Sequence, residues 1–185
     1  MEKVPVTYIP GFIKDPVEAL NELKTLDFVR RDGSPRDEYY VNDVPVPYTY
    51  GRGRGVRTYE PQVWTDRIRS VQAALKAFTG YDFEVCFLNR YLDQSDQLGW
   101  HADDSPEMDD KRPIAIVSLG VAREIWFRPN PTPTNKSPEV TKLVLESGSL
   151  ALMAPGMQDT YQHRIPKASF KCGERISMTF RGYVK

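Results

Sequence analysis

From Tyr81 onward the chain divides into alternating apolar segments: "FEVCFLNRY", "IAIVSLG", "REIWFRP", "TKLVLES", "SLALMAP", "TYQHRI" and "ERISMTFRGYV". Alternation is the period of a strand, and most of the gaps suit hairpins and are too short for crossover helices. The insert "PNPTPTNKSP", residues 129–138, reads as a loop, and no internal repeat is visible. Upstream the period is helical. Asp15-Pro16 opens "DPVEALNELKTL" as a cap and first-turn proline, with Ala19, Leu20 and Leu23 on one face. Thr65 opens "TDRIRSVQAALKAF", whose stripe of Ile68, Val71, Leu75 and Phe78 stops before Gly80. Residues 30–63, with Pro35, Pro45, Pro47, Pro61 and four glycines, predict loops and short hairpins. Two helices followed by a series of antiparallel strands predict an α+β domain built on a sandwich or jelly roll.

With 185 residues and 40% hydrophobic content the chain suits one domain. Its 25 basic residues balance 25 acidic ones, so a nucleic-acid partner would have to be met by a local patch rather than by overall charge. Cys86 lies in a buried-looking strand, and with Cys172 as its only companion a reducing compartment is expected. No leader-like start and no apolar run of membrane length is present. The expectation is a cytoplasmic protein, or a nuclear one in a eukaryote, acting as a monomer without a membrane.

The chain holds two histidines. His101, followed by Asp103, would on a strand share a face with it at about 6–7 Å, a separation from which both could reach one ion. Alone the pair is a weak signal, since about one histidine in four has such a neighbour by chance. His163 lies in a late strand, and two histidines with one carboxylate form the facial arrangement of non-haem Fe(II) oxygenases. The same residues also read as ordinary half-buried side chains. In "ERISMTFRGY", Ile176, Met178 and Phe180 alternate with Arg175, Ser177, Thr179 and Arg181. If the apolar face packs, the two arginines, about 20 Å apart at Cα, point inward and need anions, which a small dicarboxylate could supply. A solvent-facing basic edge strand is the alternative.

Taken in order, "LNRY" (88–91), "GWHADD" (99–104), "PIAIVSLG" (113–120), "REIWFR" (123–128), "GSLALM" (148–153), "YQHRIP" (161–166) and "RISMTFR" (175–181) resemble the AlkB-like Fe(II)/2-oxoglutarate dioxygenases. Upstream, "PR" and "YTYG" (48–51) extend the likeness. The resemblance implies a double-stranded β-helix core over 81–185, preceded in 1–80 by helices and a nucleotide-recognition lid, all in one domain. It implies Fe(II) on His101, Asp103 and His163. The cosubstrate 2-oxoglutarate would meet Arg175 at its far carboxylate and Arg181 at the nearer one, with Asn89, Tyr91 and Ser177 as further contacts. With O2, such enzymes oxidise alkyl groups on N1-methyladenine or N3-methylcytosine in DNA or RNA, releasing formaldehyde, succinate and CO2. A base in a duplex must be flipped or met in a single strand. In "YTYGRGRGVRTYE", Tyr48, Tyr50 and Tyr59 would serve for stacking or hydrogen bonding and Arg52, Arg54 and Arg57 for phosphates.

Three positions depart from the family pattern. Ser177 stands where many members have asparagine, and a hydroxyl can still donate there. Ser105 stands where repair members have an acidic residue that reads the alkylated base, with Asp104 and Glu107 near enough in sequence to substitute. The short polar turn "RRDGSPR" lacks the apolar wedge used on duplexes, so single strands are the expected substrate. Two other readings stay open: an oxygenase of a protein side chain or small molecule, and a non-catalytic single-strand-binding module.

Overall fold

Alternating strands bury two faces at once, and the computed structural model, which describes residues 4–50 and 56–184 with Tyr50 by its backbone alone, shows what covers each. The large sheet runs β1 (Val6–Ile9), β10 (Ser149–Met153), β7 (Ile114–Gly120), β12 (Arg175–Arg181), β5 (Val85–Tyr91), β2 (Asp37–Asn42), every pair antiparallel. The small sheet runs β6 (Leu98–His101), β11 (Tyr161–Ile165), β8 (Arg123–Pro129), β9 (Thr141–Leu145). A separate hairpin joins β3 (Tyr48–Tyr50) to β4 (Arg57–Tyr59). Together the sheets form a jelly roll.

On one face of the large sheet Ile176, Met178, Phe180, Leu88 and Val117 pack with α1 (Pro16–Leu23) and α2 (Asp66–Thr79) through Leu23, Ile68 and Leu75. Its other face meets the small sheet, with Ile114, Ile116 and Met153 against Ile125, Phe127 and Ile165. The polar alternates of β12 and β5 are thereby enclosed between the sheets. The ends of α2 follow from its sequence. Thr65 accepts a hydrogen bond from the Ile68 N–H, and Gly80 takes the left-handed conformation at φ 78°. Asp15 precedes α1 without a side-chain cap bond; its carboxylate pairs with Arg67 at 2.8 Å.

Residues before 81 supply more than helices and a lid, since β1 and β2 form the two edges of the large sheet. Neither strand advertises itself. β1 is four residues long between Pro5 and Pro10, and β2 begins with Asp37 and Glu38, residue types depleted in strands. Asp37 is buried in β2 because Arg30 and Arg90 neutralise it. Both cysteines are free, Cys86 deep in β5. Among the described residues no helix is long and apolar enough to cross a membrane.

Candidate metal and cosubstrate site

β6 and β11 set His101 opposite His163, with ring centroids 4.2 Å apart. β6 ends at His101, so Asp103 lies just past the strand and not on it. Its carboxylate still reaches between the rings, Oδ1 3.7 Å from His101 Nε2 and Oδ2 3.8 Å from His163 Nε2. The potential ligand atoms lie within 4.8 Å of one another, the only such group among the described residues. His101 Nδ1 faces the Gly99 carbonyl at 2.8 Å; donating there, it leaves Nε2 free to ligate. The Asp103 N–H donates to Gln158 Oε1 at 2.9 Å, and Arg181 Nη2 donates to Asp103 Oδ1 at 2.7 Å. Oδ2 of Asp103 is buried without a hydrogen-bond partner. A buried acceptor left open beside two imidazole nitrogens fits a cation, so these three residues could hold iron.

The protonation states agree. Burial pushes the His163 pKa down to about 3, helped by His101 and opposed by Asp103. Burial also lowers the pKa of His101, again against Asp103. Burial works against the charge of Asp103, but Arg181 and the two histidines outweigh it and hold its pKa below the usual carboxylate range. Two neutral imidazoles and one carboxylate at neutral pH are the ligating forms.

Register places Glu38, Asn89, Ser177, Ser118 and Ser149 side by side across five strands of the large sheet, all buried. Beside this row Arg175 is fully buried, with Nε donating to Ser118 Oγ at 2.8 Å and its guanidinium 5.2 Å from the Tyr91 ring centre. Its Nη1 and Nη2 are buried without hydrogen-bond partners. Burial pushes its pKa from 12.5 to about 10, with Tyr91 opposing, and an unsatisfied guanidinium edge of this kind fits a carboxylate. Asn89 Oδ1 accepts from Arg36 Nε at 2.5 Å, which leaves the Asn89 amide nitrogen as a donor. Ser177 stands between Asn89 and Ser118 in this row.

Arg36, Tyr48, Tyr59, Asn89, His101 and Asp103 line one cavity. The Tyr48 and Tyr59 rings stack at 6.3 Å and 25°, and Tyr48 is hydrogen-bonded to Ser105 at 2.6 Å. Ser105 is thus engaged with the hairpin. Asp104 is exposed and lines an open groove with Trp100 and His101, outside that inner cavity. Glu107 lines neither space. Arg52, Arg54 and the Tyr50 side chain lie outside the described residues.

Other residues of the site were not assigned a role from the sequence. Arg36 bridges Asn89 and Glu38, pairing with the latter at 2.9 Å, and Glu38 also accepts from Tyr59 at 3.2 Å and faces Arg57 at 3.7 Å. Glu38 therefore ties the hairpin to the row that carries Asn89. Ser118 orients Arg175 and Gln158 holds the Asp103 backbone. The sequence signal for Ser118 was a lone hydroxyl inside the apolar run "IAIVSLG".

Residues 34–181 match the model of the 2OG-Fe(II) oxygenase superfamily. The chain is similar to alpha-ketoglutarate-dependent dioxygenase alkB homolog 3 of Mus musculus, 31% identical over 190 residues, covering 95% of this chain and 65% of that protein. It is similar to the same homolog of Rattus norvegicus at 32% over 141 residues, 74% of this chain and 46% of that one. DNA oxidative demethylase ALKBH2 of Mus musculus is 32% identical over 151 residues, 80% and 61% of the respective chains. The chain thus spans about half to two thirds of the length of these relatives. The solved structure of OsALKBH1 superposes with a TM-score of 0.65 at 18% identity, covering 98% of this chain and 99% of that one.

Proposed function

The chain belongs to the 2OG-Fe(II) oxygenase superfamily and is AlkB-like within it, and on that premise we propose that it is an oxidative demethylase of alkylated bases in single-stranded nucleic acid. The observation that carries this reading is the cluster of His101, Asp103 and His163, with ligand atoms within 4.8 Å of one another, beside the β3–β4 hairpin, whose Tyr48 lines the same cavity as His101 and Asp103. Bound iron would supply the oxidation, in which O2 converts 2-oxoglutarate to succinate and CO2 and hydroxylates the alkyl carbon, which then leaves the base nitrogen as formaldehyde.

The protein's own residues have definable tasks. His101, Asp103 and His163 hold the ion. Arg175 takes the distant carboxylate of the cosubstrate through Nη1 and Nη2, with Ser118 fixing its orientation. Asn89 would donate from its amide, Tyr91 and Ser177 would complete the wall, and Arg181, already bonded to Asp103, would meet the nearer carboxylate. Tyr48, Tyr50, Arg52 and Arg54 would contact the substrate, as would Asp104, which lines the groove outside.

Single strands are favoured because nothing in the 30–36 turn can wedge a stack open. Arg30 is engaged with Asp37 and Asp96, and Arg31 with the Thr58 carbonyl and the Tyr59 ring. The enzyme acts as a monomer, and two free cysteines suit a cytoplasmic setting. Mass spectrometry of oligonucleotides bearing N1-methyladenine or N3-methylcytosine, as DNA and RNA, after incubation with Fe(II), 2-oxoglutarate and ascorbate tests the reading. Loss of one methyl, faster on single strands than duplexes, is expected. Unchanged masses with continuing succinate release would direct the oxidation to another substrate class.

A further inference from the structure

The outward alternates of the small sheet are more basic than a chain of balanced charge requires. β8, β9 and β11 bury Ile125, Phe127, Leu143, Ile165 and His163 on their inner side, so Trp126, Arg128, Lys142 and Arg164 face away from it. The cations are fixed on the rings of that face. Arg128 sits over Trp100 at 4.1 Å, and Lys142 over Trp126 at 4.3 Å. Arg164 lies between the two rings, 5.6 Å from Trp100 and 5.4 Å from Trp126, with its Nε buried and lacking a hydrogen-bond partner. Glu124 accepts from the Trp126 indole at 2.7 Å and is the one carboxylate at the outward strand positions of this sheet.

The row crosses all four strands, roughly 14 Å at a strand spacing of about 4.8 Å. It begins at the active site: Trp100 adjoins His101 in sequence, and Trp100 and Gln162 line the open groove that His101 also lines. Gln162 in turn accepts from Arg128 at 2.9 Å.

We propose that this outer face is a track for the single-stranded polynucleotide running out of the active-site groove, binding its phosphates through Arg128, Arg164 and Lys142. The proposal rests on the nucleic-acid reading above. Three features commit it to that occupant. The cations complement a polyanion, the face is continuous with the groove beside the metal ligands, and stacking on tryptophan orders the side chains before any phosphate arrives, lowering the entropy lost on binding.

The test compares KM for a methylated trinucleotide with KM for the same lesion extended on its 5′ or its 3′ side. For the wild type, extension on one side lowers KM about fivefold or more, and on the other side has little effect. In Lys142→Glu and in Arg128→Gln that gain disappears while trinucleotide turnover is unchanged. Anisotropy titrations with unmethylated oligonucleotide read the same face without catalysis, and the slope of log K against log salt falls by about 0.7 for each cation removed. Length dependence that persists in both variants, or that the wild type lacks, would overturn the track. So would a dimer in sedimentation that Lys142→Glu dissolves, since a second copy would then cover the face. Failure of every oligonucleotide to lose a methyl would instead strike the proposed function, leaving the titrations to judge the face.

Discussion

Arg175 shows how a residue can cost stability and still define a site. It is fully buried, its Nε donates to Ser118, and its two terminal nitrogens are buried without hydrogen-bond partners. Replacing it with methionine removes that desolvated charge, so the protein without cosubstrate should melt no lower than the wild type. The same change should weaken 2-oxoglutarate binding about ten- to a hundredfold, the equivalent of the ~1.5–3 kcal/mol of charged hydrogen bonds lost, as read by calorimetry on the Mn(II)-loaded protein. Glu38 is the opposite case. It is 2% exposed and faces Arg31, Arg36 and Arg57, so Glu38→Gln removes the counterion of the half-buried Arg36 and of two more exposed arginines. Urea unfolding should show a loss of about 1–3 kcal/mol. Asn89, no longer oriented through Arg36, should also bind 2-oxoglutarate more weakly; unchanged stability would remove Glu38 from its structural role.

At the scale of elements, the strands that announced themselves were those with an apolar face on both sides or a clean alternation, such as β7 and β12. β1 and β2 were hidden because an edge strand needs little apolar sequence, and β2 instead relies on arginines from elsewhere in the chain to bury Asp37 and Glu38. β12 depends on two neighbours that alternation does not reveal. Gly120 closes the β7–β8 turn at φ +94°, where an added Cβ would collide with the Glu174 carbonyl and lie 3.2 Å from Arg175 Cα. Gly120→Ala should destabilise the fold by about 1–3 kcal/mol and shift Arg175, raising KM for 2-oxoglutarate with it. Beyond β12, Glu84 accepts from the Tyr183 N–H at 2.9 Å and from Arg112 at 3.0 Å. Burial opposes the charge of Glu84, but these two donors outweigh it and hold its pKa below 4.5. Its contribution is therefore complete above pH 4.5 and fades as pH falls below that. Glu84→Gln should flatten the acid limb of the stability curve measured by denaturant titration.

For the whole molecule, the three residues that could hold a metal were legible as residue types, yet their assembly depends on β6 and β11 meeting across the small sheet, a contact between chain segments some sixty residues apart that no local pattern specifies. The residues proposed to hold 2-oxoglutarate come from the other sheet. Occupying both should therefore clamp the two layers together, and ligand that binds only the folded state adds about 2.7 kcal/mol of stability at a hundred times its Kd. The increments should be ordered. Mn(II) alone should raise Tm by filling the space beside Asp103 Oδ2, and 2-oxoglutarate should add a second rise only once the metal is present, because one end of it needs the ion while the other meets Arg175. Asp103→Ala should abolish both rises, whereas Arg175→Met should keep the first and cut the second to about half or less at the same ligand concentration. A second rise undiminished in Arg175→Met, measured by scanning calorimetry, would mean that the cosubstrate takes its far contact from some other residue between the sheets.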